Sequence, residues 1–237
     1  MFQFLIRTLF LLVFPGVLFS QQKNSLRDYF VQPVSKTYKY ESYVFLTDST
    51  ELNQSLIQLY HSRNFGKQQS DYSVHVTCIR IDTLNGIQHA IYEYSHPNSE
   101  FFPLQKEFIL RSDTIFFLGS RAYQPAGMNT HQFESYLIEI VHPADTISQW
   151  RYTSPEIEHQ QIRRASFFEN RFSVGNLSSD DVLVVESRPA SESRTVFVDA
   201  AKYQYYARGI GLVKTVIYIP WDNGQIKGHV ERLTTIK

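Results

Sequence analysis

Runs rich in Tyr, Val, Ile, Phe and Thr alternate with short polar punctuation along nearly the whole chain, and helical spacing of apolar positions is scarce. The alternation predicts strands at residues 37–46, 72–81, 87–94, 107–111, 114–118, 133–141, 146–153, 157–168, 182–186, 195–206, 212–219 and 226–233. Leu84-Asn85-Gly86 and Asp222-Asn223-Gly224 both carry Asn-Gly, the pair that accepts positive φ in a tight turn. Ser112-Asp113 and His142-Pro143-Ala144-Asp145 are further connections short enough for hairpins. Consecutive hairpins leave no room for crossover helices. The pattern therefore predicts an all-β domain: a curved antiparallel sheet or half-barrel with at most one or two short helices. Residues 50–63 place Leu52, Leu56, Leu59 and Tyr60 at helical spacing, but they also suit an edge strand. Residues 64–71, 122–130 and 174–181 read as polar loops.

The terminal hairpin can be read in register. A two-residue type I′ loop at Asn223-Gly224 pairs Asp222 with Gln225, Trp221 with Ile226, Ile219 with Gly228, Ile217 with Val230 and Val213 with Thr234. The face of the last four of these pairs is almost wholly apolar and is expected in the core, so Ile217→Ala should cost roughly 2–5 kcal/mol. The other face pairs Tyr218 with His229, Val216 with Glu231 and Lys214 with Leu233, which assigns Lys214 to solvent or a shallow groove, with an alanine cost within about 0.5 kcal/mol.

Composition narrows the function classes. The 237 residues are 43% hydrophobic, enough for one substantial core, and 23 Lys and Arg balance 23 Asp and Glu. No global field steers the chain to nucleic acid. Residues 1–20 combine Arg7, an apolar run at residues 9–19 broken by Pro15-Gly16, and small Ser20. This is the pattern of a signal peptide cleaved near Ser20, leaving residues 21–237 as a single secreted or periplasmic β domain. No later stretch is long and apolar enough to cross a membrane as a helix. Cys78 is the only cysteine, so no intrachain disulfide can form; it follows Tyr72, Val74 and Val76 at alternate positions and is expected to be a buried strand residue.

Candidate chemistry is thin. Gly209-Ile210-Gly211 lacks the third glycine and following helix of a dinucleotide fingerprint, and Lys214 stands three residues too late for a phosphate loop. A turn at Ala207-Arg208-Gly209, with Gly211 making room for a bulge or a neighbouring aromatic, is the structural reading. The eight histidines form no metal motif, although His75 and His89 could meet each other or Glu93 across the Asn85-Gly86 hairpin. Neither Ser166 nor Ser173 sits in a nucleophile elbow, and facing carboxylates cannot be read from spacing. Asn53-Gln54-Ser55 and Asn176-Leu177-Ser178 match glycan acceptors, which matter only in a eukaryotic secretory route. No catalytic residue, metal ligand or cofactor is assigned. The real bias is aromatic: tyrosines 38, 40, 43, 92, 94, 203, 205, 206 and 218 fall in the predicted strands, as core packing or as the lining of an apolar cavity under a curved sheet.

"YFVQPVSKTYKYE" near the start, "ISQWRYT" in the middle and "YYARGIGLVKTV" near the end are similar to a loose group of uncharacterised exported β-proteins of Bacteroidota that close on YYAxGIGLVK. Val31-Gln32-Pro33 and Thr37-Tyr38 depart from that pattern by lacking its glycine and tryptophan. The resemblance implies an exported single domain on a curved antiparallel sheet, similar to the lipoprotein-carrier half-barrels, and brings no catalytic residues.

The expectation is an exported, non-enzymatic β domain that binds a lipid or other apolar ligand, or an envelope protein. The alternatives are a hydrolase with a site assembled from distant strands, and a purely structural or interaction protein.

Overall fold

The computed structural model describes residues 25–48, 69–97, 103–122, 137–143, 147–153, 160–190, 201–220 and 225–237. The expected signal peptide, residues 50–63 and the Asn223-Gly224 turn lie outside the described residues.

Among the described residues the first element is a short helix, α1 (Leu26–Phe30). Six strands follow in sequence: β1 (Thr37–Asp48), β2 (Gln69–Leu84), β3 (Ile87–Ser95), β4 (Leu104–Leu110), β5 (Thr114–Ala122) and β6 (Leu137–Val141). The second half holds β7 (Ile147–Thr153), β8 (Gln160–Phe167), β9 (Phe172–Val174), β10 (Leu177–Ser179), β11 (Val182–Pro189), β12 (Ala201–Ala207), β13 (Gly211–Pro220) and β14 (Gln225–Ile236). All-β is thus the observed class, with the twelve long strands at the places the alternation predicts. The additions are α1 and the small β9–β10 hairpin, which occupies part of the expected loop at 174–181.

Twelve strands form one antiparallel sheet in the order β6-β5-β4-β3-β2-β1-β14-β13-β12-β11-β8-β7. Two meanders are therefore joined through the first and last strands, which pair from Tyr38↔Ile236 to Asp48↔Gln225. The sheet must curl. A flat sheet of this size would hold β6 and β7 about 50 Å apart at ~4.8 Å per strand, whereas the chain from Val141 to Ile147 can span only ~20 Å. The sheet accordingly comes round nearly to a barrel, with β6 and β7 facing across a seam. The connection containing His142-Pro143 is thus no hairpin, as its shortness suggested, but the link across that seam; no backbone ladder joins β6 to β7 among the described residues. Side chains bridge it instead. Trp150 Nε1 on β7 donates to the Ile138 carbonyl on β6 at 2.9 Å, and Arg163 on β8 reaches the Glu139 carboxylate at 2.9 Å.

The Asn85-Gly86 hairpin forms as expected, with Leu84 opposite Ile87 and positive φ at both turn residues. Gly209 takes φ +72° in the turn after β12. The bulge is also present: Tyr205 pairs with Lys214 and Tyr206 with Leu212, leaving Val213 as the extra residue. The close neighbour of Gly211 is Gln32 rather than an aromatic ring, since a Cβ there would stand 2.8 Å from Gln32 Cγ.

The terminal register differs by one residue from the expected one. Lys214 pairs with Arg232, Val216 with Val230, Ile217 with His229 and Tyr218 with Gly228, so the Asn-Gly pair does not centre the connection as a two-residue loop would. Val216 and Val230 are buried together while Ile217 is only half-buried. Lys214 is not in solvent: it is 4% exposed. The reason lies in the outer layer. Phe172 on β9 stacks on Tyr205 with ring centroids 4.9 Å apart, and Phe168 meets the same ring edge-on. The face of β12 turned away from the barrel interior is therefore covered as well, and Tyr218 on β13 packs against Tyr203 in that covered layer. A strand buried on both faces no longer reports its outward side by polarity.

Cys78 is fully buried on β2, and burial pushes its thiol upward from the ordinary value. His89 meets neither His75 nor Glu93: its Nδ1 lies 3.2 Å from Glu107 Oε1 on the neighbouring β4. His75 faces Ser95 across the ladder, four residues before the bulge at Ile79 that shifts the β2–β3 register.

Candidate functional site

Inward-facing positions of eight strands enclose a cavity of about 330 Å³, capped at one end by α1 and the segment after it. The cap forms because Ser25 caps α1, its Oγ accepting from Arg27 N, and Pro33 stands soon after the helix ends. It is held from three sides. Leu26 N donates to Ser112 O at 2.8 Å, Gly209 N to Asp28 O at 2.6 Å, and the Tyr29 hydroxyl to Asp181 Oδ1 at 2.5 Å. These contacts drive the Phe30 ring inward against Phe108, Tyr92 and Tyr206, with centroids 5.0, 5.8 and 6.0 Å away. The chain then descends through Gln32, whose backbone N–H donates to the Tyr92 hydroxyl and whose Nε2 donates to the Tyr40 hydroxyl at 3.1 Å. Tyr40 in turn donates to Leu212 O at 2.6 Å. Gln32 Oε1 is buried without a hydrogen-bond partner.

The lining changes along the barrel axis. Next to the cap it is aromatic: Phe30, Tyr40, Tyr92, Phe108 and Tyr206. One or two inward positions further along the same or neighbouring strands stand Tyr94, Lys106, Lys202 and Gln204, together with Glu139, Glu231 and Thr215. Burial pushes the Tyr40, Tyr92, Tyr94 and Tyr206 phenols upward, so all four are neutral at physiological pH. Burial likewise pushes the Lys202 ammonium down to about 8, with Glu139 and Glu231 opposing that shift and Arg163 and Lys106 adding to it. For Glu139 burial alone would raise the carboxyl, but Arg163, Lys202 and Lys106 together hold it below its ordinary value.

Nine strand tyrosines stand out in the sequence, and four of them, Tyr40, Tyr92, Tyr94 and Tyr206, line this cavity. Tyr38, Tyr203, Tyr205 and Tyr218 serve buried packing elsewhere, and Tyr43 stacks under Arg232. The charged residues Lys106, Glu139, Lys202 and Glu231 carry no sequence signal, because each stands alone on a different strand and only the curled sheet brings them together. Among the described residues, no group of three His, Cys, Asp or Glu side chains is placed to hold a metal ion, and no helix is long and apolar enough to cross a membrane.

A hydrolytic acid needs a carboxyl raised toward neutral pH; Glu139 is shifted the other way and is paired with Arg163. His96 Nδ1 is engaged with the Ser73 carbonyl at 3.3 Å. Ser173, one of the two serines weighed as nucleophiles, bonds to Ser178 on the exterior β9–β10 hairpin.

No family model matches the chain, and no curated protein does. Two solved structures are similar to it. One is a "putative lipoprotein" from Parabacteroides distasonis ATCC 8503, at 12% identity and a TM-score of 0.46, covering 91% of this chain and 100% of its own. The other is a "putative exported protein with YmcC-like fold" from Bacteroides fragilis NCTC 9343, at 10% identity and a TM-score of 0.43, covering 88% and 98%. At these values neither protein lends this chain a function.

Proposed function

We propose that the protein is an exported, non-enzymatic β domain that holds an apolar ligand inside its nearly closed barrel. The observation that carries this reading is the 330 Å³ cavity itself, capped by Phe30 and walled next to that cap by tyrosines and Phe108. Its size falls at the lower end of small-molecule sites, which run from about 300 to 1,000 Å³ and are mostly apolar with a few placed polar groups. Export rests on the apolar run of residues 9–19 and the small Ser20 that follows. A ligand is favoured over an envelope protein partner because the aromatic surface faces the interior, where a folded partner cannot reach it.

Native mass spectrometry of protein purified from its own host, followed by solvent extraction, tests the reading. An apolar molecule should co-purify with the wild type. It should be lost from Val74→Trp, which places an indole in the cavity from β2. Protein that leaves the host empty and fails to bind an environment-sensitive apolar dye overturns the carrier function.

A further inference from the structure

We infer that the cavity takes a single-chain amphipath with a monoanionic head, its tail against Phe30 and Phe108 and its head between Lys106 and Lys202. The inference rests on the carrier reading and adds the chemistry of the head group.

The argument begins with charge. Three cations, Lys106, Lys202 and Arg163, meet two carboxylates, Glu139 and Glu231, at the end of the cavity away from the cap. Arg163 and Glu139 are bound to each other across the seam at 2.9 Å, which leaves Glu231 as the other carboxylate of the lining beside Lys106 and Lys202. One positive charge is left uncompensated. Neither lysine makes an ion pair within 4 Å among the described residues; Lys106 Nζ stands over the face of the Tyr94 ring, 4.8 Å from its centroid. A half-buried ammonium without a counter-ion is a costly arrangement, relieved when an anion arrives with its apolar body already in the adjoining space.

The geometry of the tail follows from the same strands. Lys106 and Phe108 are successive inward positions of β4, and Lys202, Gln204 and Tyr206 are successive inward positions of β12. Both strands therefore run from a charged residue to an aromatic one in the direction of the cap. Inward positions on one strand are about 7 Å apart, so head and tail sites are separated by roughly that distance on β4 and twice that on β12. Gln204 and Thr215 stand beside the head position as uncharged hydrogen-bonding groups. A neutral apolar ligand would leave the lysines as they are, and a cationic one would be repelled by them.

Calorimetric titration of the full protein at neutral pH with decanoate, decanol and decylamine tests the head-group chemistry. Decanoate should bind at least tenfold more tightly than decanol, and decylamine more weakly than either. Lys202→Met should cut decanoate affinity about tenfold and leave decanol within twofold, and Lys106→Met, on the opposite meander, should repeat the pattern if Lys202→Met does not fold. Equal affinities for decanoate and decanol overturn the head-group inference and leave the carrier reading standing. Preference for decylamine overturns it in favour of a cationic ligand. No binding by any of the three overturns both.

Discussion

Arg163 on β8 is bonded twice to Glu139 on β6, through the carboxylate at 2.9 Å and through the backbone carbonyl at 3.1 Å. This pair and the Trp150 indole do at the seam what a ladder does elsewhere in the sheet. Both charged side chains are largely buried, at 7% and 16% exposed. Removing one partner of such a pair typically costs about 3–5 kcal/mol, because the other charge is left buried. Arg163→Met is therefore expected to lower unfolding stability by about 3 kcal/mol, with Lys202 compensating part of the Glu139 charge. Trp150→Phe, which removes one neutral hydrogen bond, should cost only about 1 kcal/mol. Urea denaturation of both variants checks the order, and equal losses would show that the seam is not held by its ion pair.

Lys214 makes stability depend on pH. Burial, aided by Arg232, pushes its ammonium down to about 8, against an ordinary lysine value near 10.4. Between those values the unfolded chain still binds the proton that the native state has lost, so this contribution makes stability rise with pH. Below pH 8 both states are protonated and the full cost remains. Lys214→Met should therefore be more stable than wild type at pH 7, by about 1–3 kcal/mol at ~1.4 kcal/mol per pKa unit, and the gap should close towards pH 10. Lys202 is present in both proteins and cancels. A gap that does not change with pH would place Lys214 in solvent after all.

Gly211 is required twice over. Its φ is +99°, and a Cβ would stand 2.8 Å from Gln32 Cγ and 3.4 Å from the Phe30 carbonyl. Gly211→Ala is expected to cost about 2–3 kcal/mol by combining left-handed strain with displacement of the cap. At Gly86, where φ is +77° and nothing lies within 4 Å of the added atom, the same substitution meets strain alone and should cost about 1 kcal/mol. Thermal unfolding of the two variants reads the difference. Gln32→Gly in the Gly211→Ala background should recover part of the larger loss.

Cys78 should be inert in the native state. It is fully buried, and burial raises its thiol, so thiolate chemistry is suppressed twice. A thiol-specific chromophore should label it orders of magnitude more slowly in buffer than in denaturant. Rapid native labelling would contradict its place in the core.

The strands were legible because the long ones are rich in β-branched and aromatic residues and are bounded by short polar punctuation. The sequence also marked Asn85-Gly86 and the bulge near Gly211, both of which depend on backbone chemistry local to a few residues. β9 and β10 escaped notice because three residues each, with Phe172 and Val174 as the only alternating pair on β9, make too short a period. The one-residue slip in the last hairpin has a different origin. Centring a two-residue turn on Asn223-Gly224 set the expected register, and polarity could not correct it, because the outer layer around Tyr203, Tyr205 and Phe172 buries the face that carries Lys214 as well. Half of the site was visible as strand tyrosines. Its charged half was not, since Lys106, Glu139, Lys202 and Glu231 become neighbours only when twelve strands close.

The ladder between β1 and β14 has a consequence for how the chain reaches this state. Tyr38 pairs with Ile236, so β1 waits for a strand that follows it across all the other strands of the sheet. Until then a growing chain carries two half-built meanders, each ending in an unsatisfied edge rich in tyrosine and valine. Contacts so distant in sequence make folding slow, and such edges invite pairing with other chains. The last dozen residues therefore act as a latch: truncating β14 should release not a frayed terminus but the whole barrel, with aggregation rather than a smaller stable domain as the visible outcome.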